Sequence, residues 1–259
     1  MLKILAVGCS MTKGHGLPGT IHNPDLWVNR LFPRGTHIKN VSKSGANNHW
    51  IFLETMSEIM QEKYDIVLVG WSAIPRFNFQ VGLELWPVET MFSGSRDIDL
   101  NSHTKISGKW LNKIGDDLRK LSNDHWDILE LVKYVNVLIE IQENLHKGKI
   151  FFVNTLGPWP EDYFVYKKIN LPSDLSDYEQ TLLEVPNRDD DEIFRLYDMI
   201  HSQYAKYGGI KIDKWLNLYR SLKSMQIDDA AIDDNHPGIE SQKVFVDYLY
   251  TILKQKMGI

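Results

Sequence analysis

Leu2 to Gly16 reads LKILAVGCSMTKGHG, a short apolar run that breaks off at Gly8-Cys9-Ser10 into a loop of Thr, Lys, Gly and His. An apolar run of this length bounded by glycines fits a strand buried on both faces of a parallel sheet, although periodicity alone leaves a helix open. Taken as the first strand, it delivers Ser10 just beyond its carboxyl end, where open α/β sheets collect binding and catalytic groups. Ser10 is therefore the candidate nucleophile, and its bland alternative is a helix N-cap following a strand.

Working outward, Asp25 to Phe32 has helical spacing and supplies the first crossover. Thr36 to Val41 reads as a short strand, and the turn formers Ser42 to Asn48 open a helix to about Glu62. Tyr64 to Trp71, YDIVLVGW, is the clearest strand in the chain and ends at Ser72. Phe77 to about Trp126 loosens into aromatics, glycines and polar residues, an insertion and partial lid rather than an ordinary loop. Asp127 to Lys147 is an amphipathic helix stopped by Gly148, and Lys149 to Asn154 is the next strand.

Thr155 to Asp190 is a second irregular segment, holding Trp159, Tyr163, Phe164, Tyr166 and Tyr178. Helices are expected at about Asp191–Tyr207 and Trp215–Met225, a short edge strand at Ile210–Ile212, and a closing helix from Ile239 to Lys256. Strands alternating with helices predict an α/β fold whose parallel sheet is covered on both faces.

At 259 residues, with no low-complexity linker, the chain reads as a single domain with insertions at about 77–126 and 155–190. Its 29 basic and 34 acidic residues nearly balance and are scattered, which argues against a nucleic-acid partner. Cys9 is the single cysteine, so no internal disulfide forms. Ala6-Val7-Gly8-Cys9 has the look of a lipoprotein cleavage site, but few residues precede it, and no export signal is expected. No apolar run reaches the roughly 20 residues that span a bilayer, so a protein of the cytoplasm or of a virion is expected, without membrane insertion. The histidines are dispersed without ligand spacing, so no metal is expected. Gly8, Gly14 and Gly16 match neither a dinucleotide fingerprint nor a phosphate loop, which argues against a dinucleotide-binding reading.

Near the other end, Ile232 to Gly238 forms a turn-rich loop in which Asp233 and His236 stand three residues apart before Pro237. That spacing suits a local Asp–His dyad, with Asp234 as the alternative carboxylate. Gly8-Cys9-Ser10-Met11-Thr12-Lys13-Gly14 resembles the first block, Gly-Asp-Ser-x-Thr-x-Gly, of the SGNH or GDSL-like hydrolase family, and Asp233-x-x-His236-Pro237 resembles its last. The order and near-terminal placement also fit, so the resemblance spans the whole chain.

The resemblance implies a three-layer α/β/α sandwich, a Ser–His–Asp triad, hydrolysis of an O-acyl ester, and no cofactor. Position by position, it makes Ser10 the nucleophile, His236 the base and Asp233 the group that orients it. It takes oxyanion donors from the N–H of Ser10, the N–H of Gly45 and a third-block asparagine. There the chain departs: Gly70-Trp71-Ser72-Ala73 stands where the family has Gly-x-Asn-Asp, leaving Ser72 as the third donor. Arg76, Asn78, Asn47 and Asn48 are alternative donors, and Trp71, Arg76 and Asn47 are candidate substrate contacts. Cys9 replaces the family's Asp without a triad role.

The function implied is a serine esterase acting on a small-molecule or glycan ester, with acetyl among the candidate acyl groups. The alternative is a weak or inactive module of the same fold that binds a glycan or serves a phage or surface-polysaccharide assembly. The sequence is silent on oligomeric state.

Overall fold

The computed structural model describes residues 2–72, 77–81, 84–88, 98–101, 104–106, 124–156, 205, 208–209, 211–217, 221–223, 225–230 and 233–257. In chain order the elements are β1 (Lys3–Gly8), α1 (Ser10–Lys13), α2 (Trp27–Arg30), β2 (His37–Asn40), α3 (Asn48–Gln61), β3 (Ile66–Trp71), β4 (Phe77–Val81), β5 (Glu84–Val88), β6 (Ile98–Asn101), β7 (Thr104–Ile106), α4 (Asp124–Ile139), β8 (Lys149–Asn154), β9 (Trp215–Asn217), β10 (Asp229–Ala230), β11 (Asp233–Pro237) and α5 (Ile239–Met257). Among the described residues no helix is long and apolar enough to cross a membrane.

The central sheet has the order β2-β1-β3-β8-β9 and is parallel throughout. Its inner strands are apolar on both faces: Ile4 to Val7, Ile66 to Val69 and Ile150 to Val153 are all buried. Such unbroken runs are what a sheet covered on both sides requires.

Right-handed crossovers put connecting helices on opposite faces when the chain travels in opposite directions along the sheet. The step from β1 to β2 runs one way and carries α2. The steps from β2 to β3 and from β3 to β8 run the other way and carry α3 and α4. The side-chain packing agrees with this. Phe52 of α3 stacks on Tyr134 of α4 with ring centroids 4.4 Å apart, and Trp27 of α2 meets Phe245 of α5 edge-on at 5.8 Å. The result is the expected three-layer α/β/α sandwich.

Several elements differ from the sequence reading. Trp215 to Asn217 is the fifth strand rather than the start of a helix, and the edge strand expected at Ile210–Ile212 is displaced to it by a 3₁₀ turn at Ile212–Lys214. Trp215, Leu216 and Asn217 are all buried, and three residues are too few to show a two-residue period. The loop expected around His236 is instead β11, paired antiparallel with β10.

The helix expected to Lys147 passes into a π-helical segment at Glu140–Leu145, with Lys147 as its left-handed residue at φ 61°. Gly148 follows for a different reason, since a Cβ there would strike the Gln142 amide and the Tyr64 carbonyl. The first crossover helix is reduced to one turn. The insertion at 77–126 contains two antiparallel hairpins, β4–β5 and β6–β7. The helix expected at 191–207 falls outside the described residues except at Ala205, and so does nearly all of the irregular segment 155–190.

Candidate active site

Chain direction along the sheet reverses between β1 and β3, and ligands of open α/β sheets bind outside the carboxyl ends of the strands at such a point. Gly8 and Gly70 stand in register there as the last pair before β1 ends. Both lie under Thr12. A Cβ on Gly8 would come within 2.7 Å of the Thr12 Cβ and 2.9 Å of the Gly70 carbonyl, and one on Gly70 would run into the Thr12 hydroxyl. These two glycines therefore let α1 seat directly on the strand ends.

Ser10 is the first residue of α1 and is 95% buried, with 5% exposure. Its N–H, as the first of a helical turn, has no intrahelical acceptor. The turn is tied by the Cys9 carbonyl, which accepts from Thr12 N at 3.1 Å and Lys13 N at 3.0 Å. Gly14 closes it in the left-handed conformation at φ 74°. The Cys9 thiol is buried and faces the Thr155 hydroxyl at 3.6 Å.

The loop after β2 crosses the end of β1, with Lys43 N donating to the Gly8 carbonyl at 3.0 Å. Gly45 follows at φ 75°, a left-handed conformation that suits glycine. The loop is also joined to α1's exit, because Ser44 Oγ and His15 Nδ1 lie 3.3 Å apart. The α1 turn and the glycine loop thus form one unit.

At the far end of the chain, α5 brings His236 to the same place. The Asp228 carboxylate accepts from Glu240 N at 3.0 Å, Ser241 N at 2.7 Å and Ser241 Oγ at 2.5 Å, capping α5 from outside. Burial opposes ionisation of Asp228, but these donors outweigh it and hold its carboxyl below the usual carboxylate range. The Asp228 carbonyl accepts from Gly238 N at 2.9 Å, and Gln226 Nε2 donates to the His236 carbonyl at 3.4 Å. Gln242 Oε1 accepts from Trp27 N at 3.0 Å, while its Nε2 donates to the Pro237 carbonyl at 3.3 Å. The half-buried His236 ring then meets His15, centroids 4.8 Å apart and planes tilted by 57°. His15 N donates to the Ser10 carbonyl at 3.0 Å.

The structure therefore brings the His236 ring to His15, whose N–H donates to the Ser10 carbonyl and whose ring faces Ser44, the residue before Gly45. Among the described residues no hydrogen bond joins Ser10 to His236. Asp233 and Asp234 lie on β11 ahead of His236.

Other expected positions have different surroundings. Ser72 follows β3 fully buried, and its hydroxyl has no partner among the described residues and no solvent contact. Asn48 holds its backbone, accepting from Ser72 N at 2.8 Å and donating to the Ser72 carbonyl at 3.0 Å. Asn47 is buried and caps α3, accepting from Trp50 N at 2.8 Å. Trp71, expected to touch substrate, instead has its indole wholly inside the core, stacked on Phe152 at 5.9 Å. The strand is covered on both faces, so neither side of it offers a surface. Arg76 lies outside the described residues, and Asn78 stands on β4.

His15, Asp228 and Asn48 are the residues that sequence reasoning missed or misplaced. Their partners lie far along the chain or in a different loop, and no local motif marks them. Among the described residues no group of three or more His, Cys, Asp or Glu is placed to hold a metal.

No protein-family model and no curated protein matches the chain. Among solved structures it is similar in shape to a member of the lipolytic protein G-D-S-L family from Veillonella parvula, with 10% identity and a TM-score of 0.42, over 98% of this chain and 97% of that one. It is also similar to the psychrotrophic esterase EstA from a Pseudoalteromonas species, with 12% identity and a TM-score of 0.48, over 99% of this chain and 98% of that one. A further G-D-S-L family structure, from Desulfitobacterium hafniense, has 13% identity and a TM-score of 0.45, over 97% of this chain and 99% of that one.

Proposed function

We propose that the chain is a serine hydrolase of O-acyl esters in the manner of the SGNH or GDSL-like family. The observation that supports it is the meeting of His236, delivered more than two hundred residues after Ser10 through β11 and α5, with His15, whose N–H donates to the Ser10 carbonyl at the exit of the turn that starts at Ser10. Ser10 Oγ attacks the acyl carbonyl while His236 takes its proton. The resulting oxyanion accepts from the N–H groups of Ser10 and Gly45. As the carbon–oxygen bond to the alcohol breaks, His236 returns the proton to the leaving oxygen, and an acyl ester remains on Ser10. Water then attacks that ester, His236 accepts its proton and passes it to Ser10, and the acid departs. Asp233, with Asp234 as alternative, orients the imidazole and stabilises its charged form.

With the Ser72 hydroxyl closed to solvent, the donors of this reading are the N–H groups of Ser10 and Gly45, with Arg76 and Asn78 as the alternatives for the third. Loss of one donor costs about 10²–10³ in turnover, so a slow esterase is expected. The substrate class is an acyl ester of a small molecule or a glycan, acetyl among the acyl groups. The glycan part derives from aromatic residues of the two insertions, whose side chains lie outside the described residues.

The same enclosed hydroxyl favours a second reading, a binding or assembly module with little turnover. Rates of wild type and Ser10→Ala on short-chain p-nitrophenyl esters separate the two. The esterase loses its rate to background in the variant, whereas the module gives equal background rates for both.

A further inference from the structure

We propose that the Asn48 side chain supplies the third oxyanion donor, through the amide N–H that its pairing with Ser72 leaves unused. This role rests on the ester-hydrolase reading above and answers for the enclosed Ser72 hydroxyl.

The place of Asn48 follows from how β1 ends. Trp71 turns its carbonyl toward β8, where it accepts from Thr155 N at 3.3 Å and Thr155 Oγ1 at 2.8 Å. Successive strand residues turn their N–H and C=O groups to opposite neighbours, so Ser72 turns both of its groups toward β1. With Gly8 and Gly70 in register, the next acceptor for Ser72 N along β1 would be the Cys9 carbonyl. That oxygen is taken by Thr12 N and Lys13 N as the chain enters α1. Asn48 fills the gap, its Oδ1 accepting from Ser72 N at 2.8 Å and its Nδ2 donating to the Ser72 carbonyl at 3.0 Å. The carboxamide therefore lies on the side of β3 that faces the Ser10 turn, and it belongs to the same segment as Gly45.

The same pairing aims the remaining donor. A primary amide carries two N–H groups in one plane. Because Oδ1 and Nδ2 bind one residue side by side, the N–H on the Oδ1 side is the one that meets the Ser72 carbonyl. The other points away from Oδ1, in the direction in which β3 runs, and so out past the carboxyl end of the sheet. Among the described residues it has no acceptor, and Asn48 is half-buried where Ser72 is wholly enclosed. One preorganised donor to an oxyanion is worth about 10²–10³ in turnover.

The test uses the full chain and a fluorophosphonate. Ser10 Oγ displaces fluoride from phosphorus, and the phosphonyl oxygen takes the place of the oxyanion. The two Nδ2 proton resonances of Asn48 are followed before and after. The proton that points past the strand end is expected to move downfield in the adduct, while the one bonded to Ser72 stays. This readout needs no variant, so it decides even where Asn48→Ala fails to fold. Kinetics on short-chain p-nitrophenyl esters supply the second readout, in which Asn48→Asp and Asn48→Ala lower kcat about 10²–10³-fold with KM little changed. Asn217→Ala is the control, because it removes the same bracket from Asn154 one strand farther from Ser10. It lowers the urea midpoint without that fall in kcat.

An adduct on Ser10 with both Nδ2 protons unmoved overturns the donor role and leaves the hydrolase reading in place. So does a fall in kcat of equal size in Asn217→Ala, which would reduce Asn48 to fixing a strand end. Absence of any adduct on Ser10 overturns the hydrolase reading, and the donor role with it.

Discussion

The carboxamide of Asn48 brackets the backbone of Ser72, accepting from its N–H at 2.8 Å and donating to its carbonyl at 3.0 Å. In effect the side chain replaces one rung of the sheet at the point where β3 leaves it. Asn217 does the same one strand over, accepting from Asn154 N at 2.9 Å and donating to the Asn154 carbonyl at 2.7 Å. Two strand ends beside the site are thus fixed by side-chain amides.

Asn48→Ala removes both bonds and leaves two backbone groups without them. A loss of about 1–3 kcal/mol is expected, read from the urea midpoint at unchanged slope. Asn48→Asp keeps the acceptor but faces the Ser72 carbonyl with a carboxylate oxygen, and it should cost at least as much.

The glycine pair under Thr12 gives a coupled prediction. Gly70→Ala and Gly8→Ala each overpack the seat of α1, at about 1–3 kcal/mol or more. Adding Thr12→Ala removes the hydroxyl that Gly70→Ala strikes and leaves the Thr12 Cβ at 3.5 Å, so stability returns in part. The same addition does not rescue Gly8→Ala, because the Thr12 Cβ itself is the obstacle at 2.7 Å. Equal rescue of both in a double-mutant comparison would contradict this packing.

Asp228 ties the start of α5 to the turn after His236. Its carboxyl is held below the ordinary range, so it binds fewer protons folded than unfolded at moderately acid pH. The sign follows: its contribution is complete above the ordinary carboxylate value of about 4 and is lost as pH falls through the depressed folded value. Asp228→Asn should therefore flatten the acid limb of a stability–pH curve measured by urea unfolding. Asp228→Ala should cost about 1–2 kcal/mol at neutral pH, as the loss of a helix cap does.

Ser72→Ala distinguishes a bystander from an oxyanion donor. The hydroxyl is buried and has no partner among the described residues, so its removal should leave stability equal or higher and turnover within about twofold. A fall of about 10²–10³ in kcat would instead make it a donor.

Much of the architecture could be read from residue patterns. The runs at Ile4–Val7 and Ile66–Val69 announce strands because burial on both faces leaves no polar position to interrupt them. Trp215–Asn217 was illegible because three buried residues carry no period, and its neighbours mimic a helical face. Asp233 to Pro237 read as a loop because Asp, Asn and Pro are turn formers, whereas pairing with Asp229–Ala230 makes it a strand. Ser10, Gly45 and His236 were singled out by short local motifs, and the structure carries them on α1, on the loop after β2 and on β11. Asp228 and Ser241 lie thirteen residues apart, and Ser44 and His15 twenty-nine, so only folding makes those pairs visible.

The central claim, that Ser10 is an activated nucleophile served by His236, is tested most directly by reaction with a fluorophosphonate followed by intact-mass and peptide analysis. The account predicts a single adduct on the peptide carrying Ser10, absent from Ser10→Ala and strongly slowed in His236→Ala. No adduct on wild type, or one that persists in Ser10→Ala, would contradict it.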